Sequence, residues 1–273
     1  MGSIPRAGSN PVLGTTPPGV DVPGVAISLE AAMKQKSLWA RLLYRARDLR
    51  SRALFEALAR HCRGDVLDVG GWDFVLTARR YGVSFDHWTT LESSHERRLD
   101  LDEANVRVVL GDGCAMEFGD ASFDTVLSIQ VLEHVFEPIR MVDEIARVLR
   151  RGGHAVLLIP QTSTTHLAPD YHYNFSRYWI AEVMRRTGLE IVEHRTLGGF
   201  WSSMASHLVY FFPQVLRLPS NSDPAIRRSP LFWPLLPLMA AFAVLLLPIC
   251  LLFSLGDLAE EPNNHLVVAR KPT

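Results

Sequence analysis

Between Asp65 and Arg270, short apolar runs alternate with stretches of helical periodicity, and that alternation leaves very few architectures open. Asp65–Val69 reads as a buried strand, Phe74–Tyr81 as a short helix and His87–Leu91 as a second strand. Val106–Leu110 and Phe123–Ile129 read as the third and fourth strands. Met141–Leu149 is predicted to be a helix with Ile145, Val148 and Leu149 on one side, stopped by Arg151-Gly152-Gly153 as glycines after a C-cap. His154–Ile159 is the fifth strand, Trp179–Thr187 a helix closed by Gly188, Leu189–Arg195 a further strand and His265–Arg270 the last. Strands joined through helices at this spacing need right-handed crossovers, and so a mostly parallel sheet covered on both faces. The expected class is α/β, doubly wound.

Charge and cysteine usage remove several functions. Lys plus Arg (28) balance Asp plus Glu (29), so no chain-wide basic field exists to hold a phosphate backbone, and nucleic acid is not an expected partner. Cys62, Cys114 and Cys250 form no CxxC pair, which argues against a disulfide framework or a cysteine zinc site and for a reducing, cytoplasmic location. Residues 1–27, rich in proline and glycine, are expected to be a disordered tail, and they lack the basic start and apolar run of a secretory signal. Residues 28–63 are expected to form an amphipathic helix, with Leu38, Leu42, Leu49, Ala53, Leu54, Ala57 and Leu58 at three- and four-residue steps and an excess of Lys and Arg. Such a helix either covers the core with a solvated basic face or lies on an anionic membrane.

Ligands of an open parallel sheet bind beyond the carboxyl ends of its strands, so the residues just after each strand are the candidates. The first strand is followed by Asp68-Val69-Gly70-Gly71-Trp72-Asp73 and the second by Glu92, 24 residues beyond Asp68. Gly111-Asp112-Gly113 follow the third, and Gln130 the fourth, leading into Val131-Leu132-Glu133-His134-Val135. Glycines allow close backbone approach, a carboxylate ending the second strand can accept ribose hydroxyls, and an Asp after the third can accept from an adenine amino group. Each feature alone also fits a tight turn or a helix cap. A nicotinamide dinucleotide would need G-x-G-x-x-G opening a helix, which Gly70-Gly71-Trp72-Asp73 does not supply.

Asp68–Asp73, Glu92, Gly111-Asp112, Ser122-Phe123-Asp124-Thr125-Val126, Leu132-Glu133-His134-Val135 and Arg150-Arg151-Gly152-Gly153-His154 resemble the class I S-adenosylmethionine-dependent methyltransferases, of the type 11 kind. The resemblance covers roughly residues 50–200 and implies a Rossmann-like sheet. It implies that Asp68, Gly70 and Gly71 line the methionine end of S-adenosyl-L-methionine. Glu92 would hold the ribose, Asp112 with Gly113 the adenine, and Gln130 the amino-acid or sulfonium region. Glu133 and His134 would orient their loop or take part in catalysis. The family's loop usually reads Asp-x-Gly-x-Gly-x-Gly; here Trp72 and Phe74 stand at the second and third glycines, either pointing away from the ligand or narrowing its pocket.

Methyl transfer asks mainly for positioning, and a base only where the acceptor must lose a proton. The segment after the fifth strand holds His166, Asp170, Tyr171, His172, Tyr173, Asn174 and Phe175; His166 and His172 are the candidate bases, in what is otherwise a lid. No group along the chain has metal-ligand spacing, and no metal is expected.

Residues 229–256 are 28 consecutive uncharged positions, preceded by a second apolar stretch from Leu208 to Leu218. A run of 18 or more is ordinarily a transmembrane candidate. A single crossing would strand His265–Arg270 on the wrong side of the membrane from its sheet. Pro234, Pro237 and Pro248 therefore suggest a bent hairpin inserted in one leaflet, flanked by Arg217, Arg227 and Arg228 at headgroup level. A buried helical pair or a dimer interface is the alternative. The expected organisation is thus a core over 64–207, a membrane-associated insertion over 208–258 and the last strand over 259–273. The expected function is O-methylation of a small-molecule, lipid or lipid-linked glycan acceptor at the membrane surface, the alternative being a non-catalytic membrane-bound scaffold.

Overall fold

The computed structural model describes residues 52–94, 104–167, 169–218 and 226–273. The expected tail and most of the expected basic helix lie outside them. A seven-stranded sheet of order β3-β2-β1-β4-β5-β7-β6 organises the chain. Its strands are β1 (Asp65–Val69), β2 (His87–Glu92), β3 (Val106–Leu110), β4 (Phe123–Ile129), β5 (Leu149–Pro160), β6 (Glu190–Leu197) and β7 (Asn264–Arg270). The first five pair in parallel, and β7 runs antiparallel between β5 and β6. The strand order switches between β1 and β4, where a parallel sheet opens a crevice at its carboxyl edge.

Alternate side chains of each strand enter two cores. On one face Leu67, Val69, Leu157, Ile159, Val267 and Ala269 pack under α3 (Pro138–Val148) and α4 (Arg177–Thr187). On the other, Val66, Val156, Leu158, Leu266 and Val268 meet α2 (Phe74–Arg80) and the helical residues 52–61, here α1. Within its described residues α1 is a covering helix: Leu54, Phe55, Ala57 and Leu58 are buried, while Arg52 and Arg60 pair with Glu56 and Glu193. α3 buries Met141, Val142, Ile145 and Val148 at helical spacing. α4 starts on the Ser176 side chain, which accepts from the Trp179 N–H, and ends at Gly188 with φ 71°.

Two sequence expectations need correction. Arg151-Gly152-Gly153 do not stop α3; the helix ends directly in extended Leu149, and these residues belong to an irregular start of β5. The register against β4 jumps there, from Phe123↔Leu149 to Thr125↔His154, and a Cβ on Gly153 would stand 2.8 Å from the Asp124 carbonyl. The glycine thus serves a close crossing of two backbones.

The second correction concerns the apolar segment. It is not bent into a hairpin of its own but forms one continuous helix, α6 (Phe232–Phe253), with Pro237 and Pro248 inside it. Pro234 sits in the first turn, where its missing N–H costs nothing, and each internal proline removes a single hydrogen bond. The reversal comes earlier, because α6 pairs with α5 (Phe200–Val215), of which Leu208–Leu218 is only the distal part. Both ends of this pair meet at the sheet. Asp257 accepts from the N–H groups of Trp201 (2.8 Å) and Ser202 (2.9 Å), capping α5, and the Phe200 N–H donates to the Leu258 carbonyl. At the far end Arg228 donates to the Gln214 and Val215 carbonyls and lies over the Phe232 ring, closing the α5 C-terminus. The excursion from the sheet is therefore made by two helices, α5 and α6, that leave and re-enter its carboxyl edge.

α6 is apolar all round. Only Ala243 and Cys250 are buried, whereas Leu238, Phe242, Leu245 and Leu252 are more than 60% exposed. Burying one such side chain is worth ~1.5–3 kcal/mol, so this surface forfeits several kcal/mol if it faces water. Phe232–Gly256 is the one candidate membrane span among the described residues by length and composition.

Candidate active site

The carboxyl edge collects the residues that the strand ends supply. Val69 pairs with Leu91 and Glu92 with Leu110; the Gly70 N–H donates to the Leu91 carbonyl and the Gly111 N–H to the Glu92 carbonyl. These bonds bring Asp68, Glu92 and Asp112 to neighbouring strand ends, while the Gln130 N–H to the Leu158 carbonyl fixes the end of β4 beside β5. A cavity of about 350 Å³ lined by Asp65, His87, Asn105 and Ser122 lies at the opposite, amino edge.

The loop after β1 is folded onto its own carboxylates. Gly70 (φ 70°) and Trp72 (φ 47°) both adopt left-handed backbone, a conformation that costs a bulky residue on the order of 1–3 kcal/mol. A Cβ on Gly71 would stand 1.7 Å from Asp68 Oδ2, so the missing side chain at 71 makes room for Asp68 itself. The Trp72 N–H donates to Glu92 Oε1 at 2.6 Å. Phe74 points away from the site, into the core beside Phe55 and Trp88, whereas Trp72 remains half-buried at the loop. Of the two residues that replace family glycines, one is therefore a core residue and only the other borders the crevice.

Asp68 is fully buried and neither of its carboxylate oxygens has a hydrogen-bond partner. Burial and then the like charge of Glu92 push its pKa well above the ordinary carboxylate value. Asp112 is exposed and accepts from the Cys114 N–H at 2.8 Å, shaping the turn through Gly113. Gln130, at φ 58°, donates to Asn264 Oδ1 at 2.8 Å and so ties the crevice to the strand re-entering from α6.

A second buried carboxylate lies on the other side of the switch point. Glu133 is in the turn Leu132–His134, fully buried, with both oxygens lacking a hydrogen-bond partner, and burial raises its pKa to about 8. Its backbone carbonyl accepts from His172 (2.8 Å) and Tyr173 (3.3 Å), holding the loop after β5. His134 Nε2 is 3.1 Å from His166 Nε2, and each lies 3.9 Å from Glu133 Oε1. Tyr171 packs against both rings. Burial lowers the His166 pKa below its ordinary value, favouring the neutral ring. His172 stays outside the group, exposed and edge-on to Phe136. The structure thus joins one candidate base to the Glu133-His134 pair and leaves the other at the surface. Sequence reading missed that grouping because 32 residues separate His134 from His166; the signal was that β4 and β5, whose ends carry them, are neighbours.

Comparisons with known proteins agree with this layout. A methyltransferase domain family matches residues 73–157. A protein of Mycolicibacterium smegmatis named a "probable S-adenosylmethionine-dependent methyltransferase" is 30% identical over 169 residues, 55% of this chain and 61% of its own length. A phosphatidylethanolamine N-methyltransferase of Cereibacter sphaeroides is 34% identical over 106 residues, 35% of this chain and 50% of that protein. The chain spans less than two thirds of the length of these curated relatives. Among solved structures, a chain in the complex between the Haloferax volcanii Trm112 methyltransferase activator and a methyltransferase superposes with a TM-score of 0.53 at 19% identity, covering 86% of this chain and 95% of that one. The architecture is the class I methyltransferase fold, a seven-stranded sheet with antiparallel β7. Residues 73–157 thus match a methyltransferase domain, set within the fold of the class I methyltransferases.

The residues present suit that cofactor. Asp68 offers two buried oxygens without a hydrogen-bond partner, which suit an ammonium group, and Glu92, at the end of β2, would accept from ribose hydroxyls. Residues 70–72 fold against both, Gly71 beside Asp68 and the Trp72 N–H donating to Glu92 Oε1.

Proposed function

We propose that the protein transfers the methyl group of S-adenosylmethionine to an acceptor resident in or on a membrane, a lipid, a lipid-linked glycan or another small molecule, with oxygen as the atom methylated. The observation that carries the membrane part is the α5–α6 pair: an all-round apolar helix emerges from, and returns to, the edge of the sheet that bears the candidate site. An acceptor held in the bilayer would then meet the crevice without leaving the lipid. The phospholipid methyltransferase among the relatives is consistent with an acceptor of that kind.

The arrangement favours a helix lying along the bilayer surface. α5 has 16 residues, about 24 Å at 1.5 Å per residue, short of a ~30 Å hydrocarbon core. Insertion tip-first would bury Arg228, whereas a surface-parallel pair keeps Arg217, Arg227 and Arg228 at headgroup level at one end and Asp257, Glu260 and Glu261 at the other.

When bound, the cofactor supplies a methyl group already activated on sulfonium. The chain's part is to orient it. Asp68 holds the methionine end, Glu92 the ribose and Asp112 with Gly113 the adenine, and the Tyr171–Phe175 segment excludes water. The Glu133-His134-His166 group, at the same edge of the sheet, is where a hydroxyl acceptor's oxygen would be bound and its proton released.

The test combines flotation and turnover. Full-length protein should float with vesicles of phosphatidylglycerol and phosphatidylethanolamine. It should also transfer labelled methyl from S-adenosylmethionine into an organic extract of native membranes. Leu238→Asp with Leu245→Asp and Leu252→Asp, all on exposed positions, should abolish flotation and membrane-dependent transfer. A variant that still floats would remove α6 as the anchor, and wild type that does not float would remove the membrane reading; cofactor binding with no labelled product would favour a scaffold.

A further inference from the structure

Glu133, His134 and His166 are arranged as ligands rather than as a hydrogen-bonded network. His134 Nδ1 faces the Asp170 carbonyl and His166 Nδ1 the Thr164 carbonyl, the latter at 2.9 Å. A carbonyl only accepts, so each Nδ1 carries the hydrogen, and in the neutral rings each Nε2 presents a lone pair. Those two lone pairs face each other across 3.1 Å, with Glu133 Oε1 at 3.9 Å from both. Three electron-pair donors converging on a common point repel unless a cation lies between them.

The dimensions fit a metal ion. With sides of 3.1, 3.9 and 3.9 Å, the point equidistant from the three atoms lies about 2.1 Å from each, the bond length of Zn²⁺ to imidazole nitrogen or carboxylate oxygen (~2.0–2.2 Å). Backbone carbonyls on both Nδ1 atoms are the outer partners that fix ligating histidines. Glu133 adds an independent indication. Its backbone carbonyl, not its side chain, ties down the loop after β5, so the fully buried carboxylate has no structural duty there and no hydrogen-bond partner.

We propose that Glu133 Oε1, His134 Nε2 and His166 Nε2 bind one divalent first-row transition metal ion at the carboxyl end of β4 and β5. Two imidazoles and one carboxylate suit Zn²⁺, Co²⁺, Mn²⁺ or Fe²⁺ better than Mg²⁺, which prefers oxygen and retains water. His134 and His166 keep 15% and 12% of their side chains exposed, so the ion has a solvent-facing position for a further oxygen ligand. That this oxygen belongs to the methyl acceptor rests on the function proposed above; the binding of the ion does not.

The experiment is titration of the full-length protein, stripped by chelator in detergent and without S-adenosylmethionine, with Zn²⁺ alone by calorimetry and with Co²⁺ by absorption. One ion per chain should bind, and Zn²⁺ should raise the unfolding midpoint. Glu133→Gln, which keeps shape while removing charge, and His166→Ala should each weaken binding by at least ~10-fold, the lower end of what losing even an outer partner costs. His172→Ala, outside the cluster, should bind as wild type does. Should His166→Ala not fold, Glu133→Gln alone decides. No binding by wild type, or equal affinity in Glu133→Gln, would overturn the site and leave a shared proton between the histidines. Because the cofactor is absent from the titration, that result would leave the methyl-transfer reading standing.

Discussion

Asp68 and Glu133 lie on either side of the switch point, one within the end of β1 and the other in the turn after β4, each fully buried and with carboxylate oxygens lacking a hydrogen-bond partner, yet their surroundings are opposite. For Asp68, at the end of β1, a second carboxylate, Glu92, is the largest electrostatic influence after burial. Glu133, after β4, has two imidazoles. A pair of carboxylates calls for a ligand that donates and carries positive charge; a carboxylate with two imidazole lone pairs calls for a metal ion or a shared proton. One edge of the sheet thus offers two kinds of binding chemistry, side by side.

The sharpest way to break the comparison is at Glu92. Glu92→Ala removes the only carboxylate ending β2 and should weaken S-adenosylmethionine binding by roughly 100-fold or more, since hydrogen bonds to a charged group are worth ~1.5–3 kcal/mol each. Calorimetry would show this, with circular dichroism checking that the fold is kept. Zn²⁺ affinity at the Glu133 side should not change.

A smaller effect is expected at Asp68. Asp68→Asn should weaken the cofactor about tenfold through loss of charge opposite its ammonium. The same variant tests the raised pKa. A folded carboxyl that holds its proton above the ordinary range contributes stability in full below that range and loses it as pH rises through the folded value. Denaturant unfolding of the cofactor-free chain should therefore show wild type losing stability relative to Asp68→Asn as pH is raised from 4 to 8. Parallel curves would contradict the assignment.

The smallest effect should come from Trp72. Replacing it with glycine keeps the backbone N–H that bonds Glu92 but removes the half-buried indole bordering the crevice. We expect Trp72→Gly to bind cofactor severalfold more tightly through the space gained, net of the roughly 1 kcal/mol by which relief of the left-handed backbone favours the cofactor-free loop. Weaker binding would mean the indole is itself part of the pocket.

The sheet was legible because its strands are nearly continuous apolar runs, such as Val66–Val69 and Ala155–Ile159, and the helices between them bury regular faces. Positions at the strand ends followed from register alone, which is why Asp68, Glu92, Asp112 and Gln130 emerge at one edge. Three features were not legible. Gly152 and Gly153 look like a helix stop, and only the crossing over the Asp124 carbonyl shows why they are glycine. The prolines of α6 suggest breaks, but a proline in the first turn or isolated within a long helix does not end it, and the reversal depends on Asp257 capping a helix 56 residues earlier in the chain. The Glu133-His134-His166 group depends on the adjacency of β4 and β5, a long-range contact that local spacing does not encode.

The edge bearing Asp68 and Glu92 should bind S-adenosylmethionine despite Trp72. Calorimetric titration of the detergent-solubilised, full-length protein with S-adenosylmethionine, and separately with S-adenosylhomocysteine, tests it most directly. Micromolar binding of both, one per chain, is the expected result. No heat of binding with either, in protein shown to be folded, would mean that the loop stays closed over Glu92 and that the chain keeps the fold without the cofactor.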